Sequence, residues 1–424
     1  MGISLAMQGR REGSEPDAAW LEQAAAWWRL EHDAAPRPVV DVAERGLHVA
    51  LHPAAEDLEV ALDDGGRAVT LRAKTGTAGP GYHRHVVQAA RAFGDALRVA
   101  WSDVEDPTGH AQGASPDAVE ATLHGYLQEV ARSILDLQSQ GASGFALHMP
   151  STHAFRHDGL IATPLGPRDE SWVRRVVADP TVAEDIFPWW GPERDAAYFR
   201  GRALSLLWTE VRWRPPVVDA ERALLDEAAT LLERAYALDP DGDYPWAAWA
   251  ELYTHLEEDS LRATRTRLRA GPVVATIGYR RSPVQVALTG GFSLVVDGSL
   301  AERWEEQGTW VAWDHARSVW FTSLTCTPGP DGQEPTTEET LAGLPPAQGE
   351  GEQLSLSRGP LRGRAVISEA EADGQRVYRL EAQAAIGASA AVGTLVYVQP
   401  EDREWALSTW GTLDHPDLRA AEGG

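Results

Sequence analysis

The chain has 424 residues, 43% of them hydrophobic and 24% charged, a composition that folds and a length that exceeds one ordinary core. Its formal charge is −25 at pH 7, with the acidic excess spread along the chain and no basic segment, so a nucleic-acid partner held through its phosphates and docking on anionic lipid are both excluded as readings. Cys326 is the only cysteine, which rules out intramolecular disulfides and thiolate zinc sites, and no apolar run reaches the roughly 18 residues that cross a bilayer.

The opening "MGISLAMQGRREG" has neither the apolar core nor the small-residue cleavage site of a secretory signal, and a cytoplasmic location is expected. Residues 14–30 read as a helix, capped by Ser14 with Asp17 at capping-box spacing and carrying Trp20, Leu21, Ala24 and Trp28 on one face. From Val39 the period changes to two. Leu47, Val49 and Leu51, then Leu58, Val60 and Leu62, alternate with polar neighbours, and "DDGG" (Asp63–Gly66) turns the chain into a strand over Ala68–Ala73.

A helical pattern follows through Val86, Val87, Ala90, Phe93 and Leu97. The next helix is marked by Ser115 as cap, Pro116 at its first position and a stripe from Val119 to Leu137. Residues 14–140 are therefore expected to form an α+β domain. Residues 141–192 are punctuated by Pro150, Pro164, Pro167, Pro180 and Pro188 and read as an irregular crossing segment with one short helix, "ESWVRRVVAD". Residues 193–270 are helical in pattern.

From Gly271 the two-residue period returns, with strands expected at Val284–Leu288, Phe292–Val296, Thr309–Trp313, Val319–Thr325, Gly363–Ser368, Arg376–Ala382 and Gly393–Val398. "TPGPDGQEPTTEETLAGLPPAQGEGEQ" interrupts them as an acidic loop with one possible helical turn, and "EDREWALSTWGTLDHP" reads as a terminal amphipathic helix. The fold class expected is α+β, with antiparallel sheets at both ends (14–140 and 271–416) and a helical, repeat-like middle.

Two resemblances arise from these patterns. "EAATLLERAYALDPDGDYPWAAWAELYTHL" (227–256) resembles a tetratricopeptide repeat, through its "YALDP" helix end and the Trp-x-x-Leu-Tyr helix that follows. It covers about one and a half repeats and implies a helical hairpin. The order of elements after Gly271 is similar to the PsbP-like antiparallel α+β fold, which implies a fold and no activity.

Four stretches could carry chemistry. "ALHMPSTHAFRHDG" (146–159) puts His153 and His157 four apart, a pair suited to a divalent metal on a helix, with His148 facing away. As a polar loop it needs no ligand. "GTAGPGYHRH" (76–85) leads a Gly-rich turn into a helix start, where free amides with Tyr82, His83, Arg84 and His85 suit an anion; any capping turn looks the same. "DPTGH" (106–110) reads as a turn. In "WVAWDHARSVWFTS", Asp314 and His315 sit at a hairpin tip, where adjacent residues face opposite ways and cannot form a dyad.

Lys74 is the sole lysine, which excludes Walker-type and Schiff-base lysine chemistry elsewhere; the single lysine and many alanines read as the coding bias of a GC-rich bacterial genome. Seventeen tryptophans are an unusual number, and "FPWWGP" (187–192) places Trp189 and Trp190 side by side, either as a recognition surface or as filling between packed elements.

With no complete catalytic motif, no catalytic residue, metal ligand or cofactor is assigned. The reading is a non-catalytic cytoplasmic bacterial protein that binds another protein, in an adaptor or immunity-like role. Its candidate binding residues are Tyr82, His83, Arg84, His85, His153, His157, Trp189 and Trp190. The alternatives are a histidine-dependent, metal-assisted hydrolase with His83, His85, His153 and His157 converging, and a structural subunit of a larger assembly.

Overall fold

A computed structural model describes residues 3–30, 38–63, 65–147, 149, 153–155, 160–256, 276–305, 307–327, 332–346, 351–372 and 374–422. The chain forms two compact units. The first comprises residues 1–151, 155–211 and 220–279, and the second comprises 152–154, 212–219 and 280–424.

The first unit is built on six strands: β1 (Ser4–Arg11), β2 (Val39–Ala43), β3 (Gly46–Ala50), β4 (Leu58–Leu62), β5 (Ala68–Lys74) and β6 (Val99–Glu105). They form one antiparallel sheet in the order β2-β3-β4-β5-β1-β6. Two of these strands, β1 and β6, were not read from the sequence; β1 lies inside the sheet, with Met7 opposite Leu71 of β5 and Val104 of β6. Leu5 and Met7 alternate inward as the period of two requires.

Two helices, α1 (Asp17–Leu30) and α2 (Pro80–Leu97), supply the apolar residues that cover the sheet. α1 buries Trp20, Leu21, Ala24 and Trp28, and Phe93 of α2 meets Trp20 edge-on at 6.0 Å and stacks on Trp28 at 5.7 Å. Burying an aromatic side chain of this size is worth about 1.5–3 kcal/mol.

α3 (Pro116–Ser139) starts where its sequence signals place it: the Ser115 hydroxyl accepts from the Ala118 amide, and Pro116 fills a position with no hydrogen bond to lose. Its buried stripe, Leu123, Leu127, Ala131 and Ile134, packs on α4 (Glu170–Ala178) and on a 3₁₀ run at Pro180–Ile186 through Trp172, Val173, Val176 and Ile186. Three more helices complete the unit: α5 (Ala196–Thr209), α6 (Asp219–Leu238) and α7 (Trp246–Leu256). α6 and α7 are the two helices of the repeat-like segment. They are joined by a turn in which the Tyr244 hydroxyl donates to the Asp239 carbonyl, and Trp246 stacks on Trp249 at 5.6 Å.

The second unit carries two antiparallel sheets. The smaller joins β7 (His153–Ala154), β8 (Val284–Ala287) and β9 (Ser293–Val296). The larger has β10 (Ala301–Trp304), β11 (Trp310–Trp313), β12 (Arg317–Thr325), β13 (Glu352–Arg358), β14 (Leu361–Ala372), β15 (Gln375–Ile386) and β16 (Ser389–Tyr397), in the order β10-β11-β12-β16-β15-β14-β13. The possible turn in the acidic loop is a helix, α8 (Thr337–Gly343), closed by a capping box between Thr336 and Glu339.

α9 (Arg403–Gly411) supplies Trp410, whose ring lies against Gly393 of β16, and a further short helix, α10 (Pro416–Glu422), follows it. Asp314 caps the β11–β12 hairpin, accepting from the Ala316 and Arg317 amides and pairing with the Arg317 guanidinium at 2.7 Å. The fold is α+β, with antiparallel sheets in the N- and C-terminal regions and helices between. No described helix is long and apolar enough to cross a membrane.

Candidate functional site

Two of the candidate stretches, a hundred residues apart in sequence, meet in the first unit. The loop after β5 reaches α2 through Gly79, and "FPWWGP" runs alongside it. The Trp189 amide donates to the Ala78 carbonyl at 3.0 Å, and the Gly81 amide donates to the Trp189 carbonyl at 3.2 Å. Glycine is required at both contact points: a Cβ on Gly79, whose φ is 112°, would lie 2.4 Å from the Trp189 carbonyl oxygen, and one on Gly81 would lie 2.1 Å from that of Gly191. Of the amides at this helix start, that of Gly81 is given to the Trp189 carbonyl and that of His83 to the Gly79 carbonyl.

This docking gathers Tyr82, His83, Arg84, His85, Trp189 and Trp190. His83 is buried between two hydroxyls, its Nδ1 2.8 Å from Thr75 Oγ1 and its Nε2 2.9 Å from Thr108 Oγ1 and 3.4 Å from Asp106 Oδ1. "DPTGH" is the turn expected of it: the Asp106 carboxylate accepts from the Thr108 amide and hydroxyl and from the Ala111 amide. Burial alone would raise the Asp106 carboxyl. Hydrogen bonds from His83, the Ala111 amide and Thr108 outweigh it and hold the group well below the usual carboxylate range.

Arg84 donates to Glu120 at 3.2 Å and to the Trp190 carbonyl at 2.9 Å, tying α2 to α3 and to the tryptophan segment. His85 bonds to Arg194 at 3.3 Å and packs on Trp189 at 5.1 Å. Trp189, 3% exposed, is enclosed by Tyr82, Tyr198 and His52, with the Arg194 guanidinium over its ring. Trp190 stacks on His124 at 5.2 Å. The doubled tryptophan thus fills a seam within the first unit.

Two buried polar groups at this seam stand out. The Tyr82 hydroxyl has no hydrogen-bond partner, and burial raises it well above the usual phenol range. His52 accepts at Nδ1 from the Ala54 amide at 3.1 Å, which assigns the ring proton to Nε2, and Nε2 is buried without a partner. Burial, then the Arg202 and His85 charges, push His52 well below its ordinary pKa, so the ring is neutral.

His153 lies on β7, opposite Val286, in the second unit; its side chain and the whole of His148 and His157 lie outside the described residues. Among the described residues no group of three or more His, Cys, Asp or Glu side chains is placed to hold a metal ion. Sequence reasoning missed Thr75, Asp106, Thr108, His52 and Arg194 as partners of the α2 residues. The "DPTGH" turn was the one visible sign, since an aspartate that closes a turn often has an oxygen left to spend.

A different surface was not anticipated. On the larger sheet of the second unit, strand register aligns Arg303, Val311, Trp320, Thr394 and Glu381 on one face, with Trp313 and Val396 in the next row. Trp320 is 42% exposed and Leu324, on the same face of β12, 49%. Trp313, Val392 and Val396 are half-buried beside them. The opposite face of the sheet, with Val319, Phe321, Leu380 and Leu395, is buried.

No protein family matches this chain, and no curated protein is significantly similar to it. Among solved structures, a crystal structure of a Bacteroides thetaiotaomicron protein aligns with 30% of this chain at 11% identity and a TM-score of 0.23. The aligned region spans 45% of that protein, less than half its length. A likeness this slight carries no conclusion about fold or activity.

Proposed function

We propose that the protein is a non-catalytic binding protein of the bacterial cytoplasm that takes a protein partner on the exposed stretch of β12 at Trp320 and Leu324 in its seven-stranded sheet. The observation that carries this reading is Trp320, 42% exposed between Val311 and Thr394 on a face shared with Trp313, Leu324, Val392 and Val396. The solvated face of an antiparallel sheet is ordinarily polar, and exposed tryptophan is the residue most enriched where partners bind tightly. The charge of −25 favours a neutral or basic partner and steers its approach. An adaptor or immunity-like role fits these properties. Hydrolysis would need imidazoles free to take a proton or a metal, whereas both ring nitrogens of His83 are engaged within the protein.

The test is affinity capture with the full chain from its native cells, comparing wild type with Trp320→Ala and with Arg376→Ala on the exposed β14–β15 hairpin. A partner retained by wild type and by Arg376→Ala, and reduced at least tenfold by Trp320→Ala at unchanged thermal stability, supports the reading. Equal recovery of every partner by Trp320→Ala overturns it.

A further inference from the structure

In the first unit, a cleft of about 280 Å³ opens where β1 ends, α1 begins and α2 turns into β6, and its wall includes Arg11, Glu12, Glu15, Trp20 and Arg98. Arg11 is the unusual member. Its side chain is 6% exposed, and it donates through Nη2 to Asp17, but its Nε and Nη1 are buried without any acceptor. The indole N–H of Trp20, beneath the Arg11 guanidinium, is buried and unpartnered as well. Guanidinium and indole N–H groups can only donate, so what these buried atoms lack is an acceptor. Leaving a buried charged donor unmet is costly in a folded protein, and such groups are normally paired.

Arg98 adds a second sign. It caps α2 in the left-handed conformation, φ 53° and ψ 49°, where glycine is the low-cost residue, yet an arginine stands there and lines the cleft. Glu12 and Glu15 are exposed on the same wall, and the Glu12 amide is held to the Arg98 carbonyl at 2.9 Å.

We infer that this cleft binds a small zwitterion with the chemistry of a free α-amino acid, its carboxylate taken by Arg11, Arg98 and the Trp20 indole and its ammonium by Glu12 and Glu15. Two arginines answer a planar carboxylate, which matches a guanidinium fork. Two glutamates on the same wall answer a cation and repel a phosphate dianion. This site is separate from the protein-binding face proposed above and does not depend on it.

Isothermal titration calorimetry of the full chain, using glycine, leucine, glutamate and arginine with acetate, butylamine and inorganic phosphate as controls, tests the assignment. One molecule of at least one amino acid binds per chain, at least tenfold more tightly than acetate, butylamine or phosphate. Arg98→Gly, which relieves the left-handed strain and leaves the thermal midpoint equal or higher, weakens that binding at least tenfold. Arg11→Lys, which keeps the charge and removes the planar guanidinium fork, weakens it as well. The inference is overturned if no amino acid binds, if phosphate binds as tightly, or if both variants bind like wild type.

Discussion

A carboxylate buried against an imidazole stabilises a fold only while it is charged, and Asp106 is kept charged by the His83 ring, the Thr108 hydroxyl and the Ala111 amide. Its folded pKa lies well below the ordinary carboxylate value of about 3.9. The unfolded chain therefore binds a proton first as pH falls. The stabilisation from Asp106 is complete above about pH 5 and is lost through the ordinary value toward the lower folded one.

Asp106→Asn should cost about 1.5–3 kcal/mol at pH 7, the worth of hydrogen bonds to a charged group, and the gap from wild type should narrow progressively below about pH 4. His52 opens an earlier window. Kept neutral by burial, it costs stability as pH falls below about 6.5, in wild type and variant alike. Urea midpoints at pH 7.5, 5 and 3.5 separate the two, and a gap between Asp106→Asn and wild type that stays constant across all three would defeat this account of Asp106. The turn at Asp106 was legible in sequence and His83 was a candidate; their partnership was not, because 25 positions separate the Thr108 hydroxyl from the ring it meets.

Elements that announce themselves through caps and a full stripe were read correctly: α3 begins behind Ser115 and Pro116, and β4 covers Leu58–Leu62 as its alternation requires. β1 went unread because its inward set is Leu5, Met7 and Gly9, and its last residues are arginines, a pattern that resembles a polar leader. The edge strand β10 has four residues, two of them charged, and carries weak periodicity. Trp189 and Trp190 were legible as unusual, but which neighbours enclose them depends on a contact with α2 that only the fold supplies.

That contact gives the prediction at this scale. A Cβ on Gly81 would lie 2.4 Å from the Trp189 ring as well as 2.1 Å from the Gly191 carbonyl, and neither the ring nor the backbone is free to yield, since Trp189 is packed on Tyr82 and Tyr198. Gly81→Ala should destabilise the first unit by about 1–3 kcal/mol, the usual cost of overpacking, although alanine is the better helix former. Chemical denaturation followed by tryptophan fluorescence measures it, and an unchanged or higher midpoint would mean that the seam is loose.

For the molecule as a whole the decisive quantity is the balance of 63 acidic against 38 basic residues. Many arginines are in exposed pairs, such as Arg174 with Glu170 and Arg403 with Glu352, which contribute little to stability and are weakened by salt. Opposing them is the repulsion among the surplus carboxylates, which acts over longer distances. The screening length falls from about 30 Å at 0.01 M salt to about 8 Å at 0.15 M, so added salt removes long-range repulsion first and leaves contacts a few ångströms long largely in place. Repulsion should therefore dominate the response, and raising NaCl from about 0.01 to 0.15 M should stabilise the fold by about 1 kcal/mol, seen as a rise of about 2–4 °C in the thermal midpoint. Potassium chloride should act equally, since screening depends on ionic strength and not on which monovalent cation supplies it. A midpoint that falls with either salt would show that the ion pairs, not the surplus charge, govern the electrostatics of this protein.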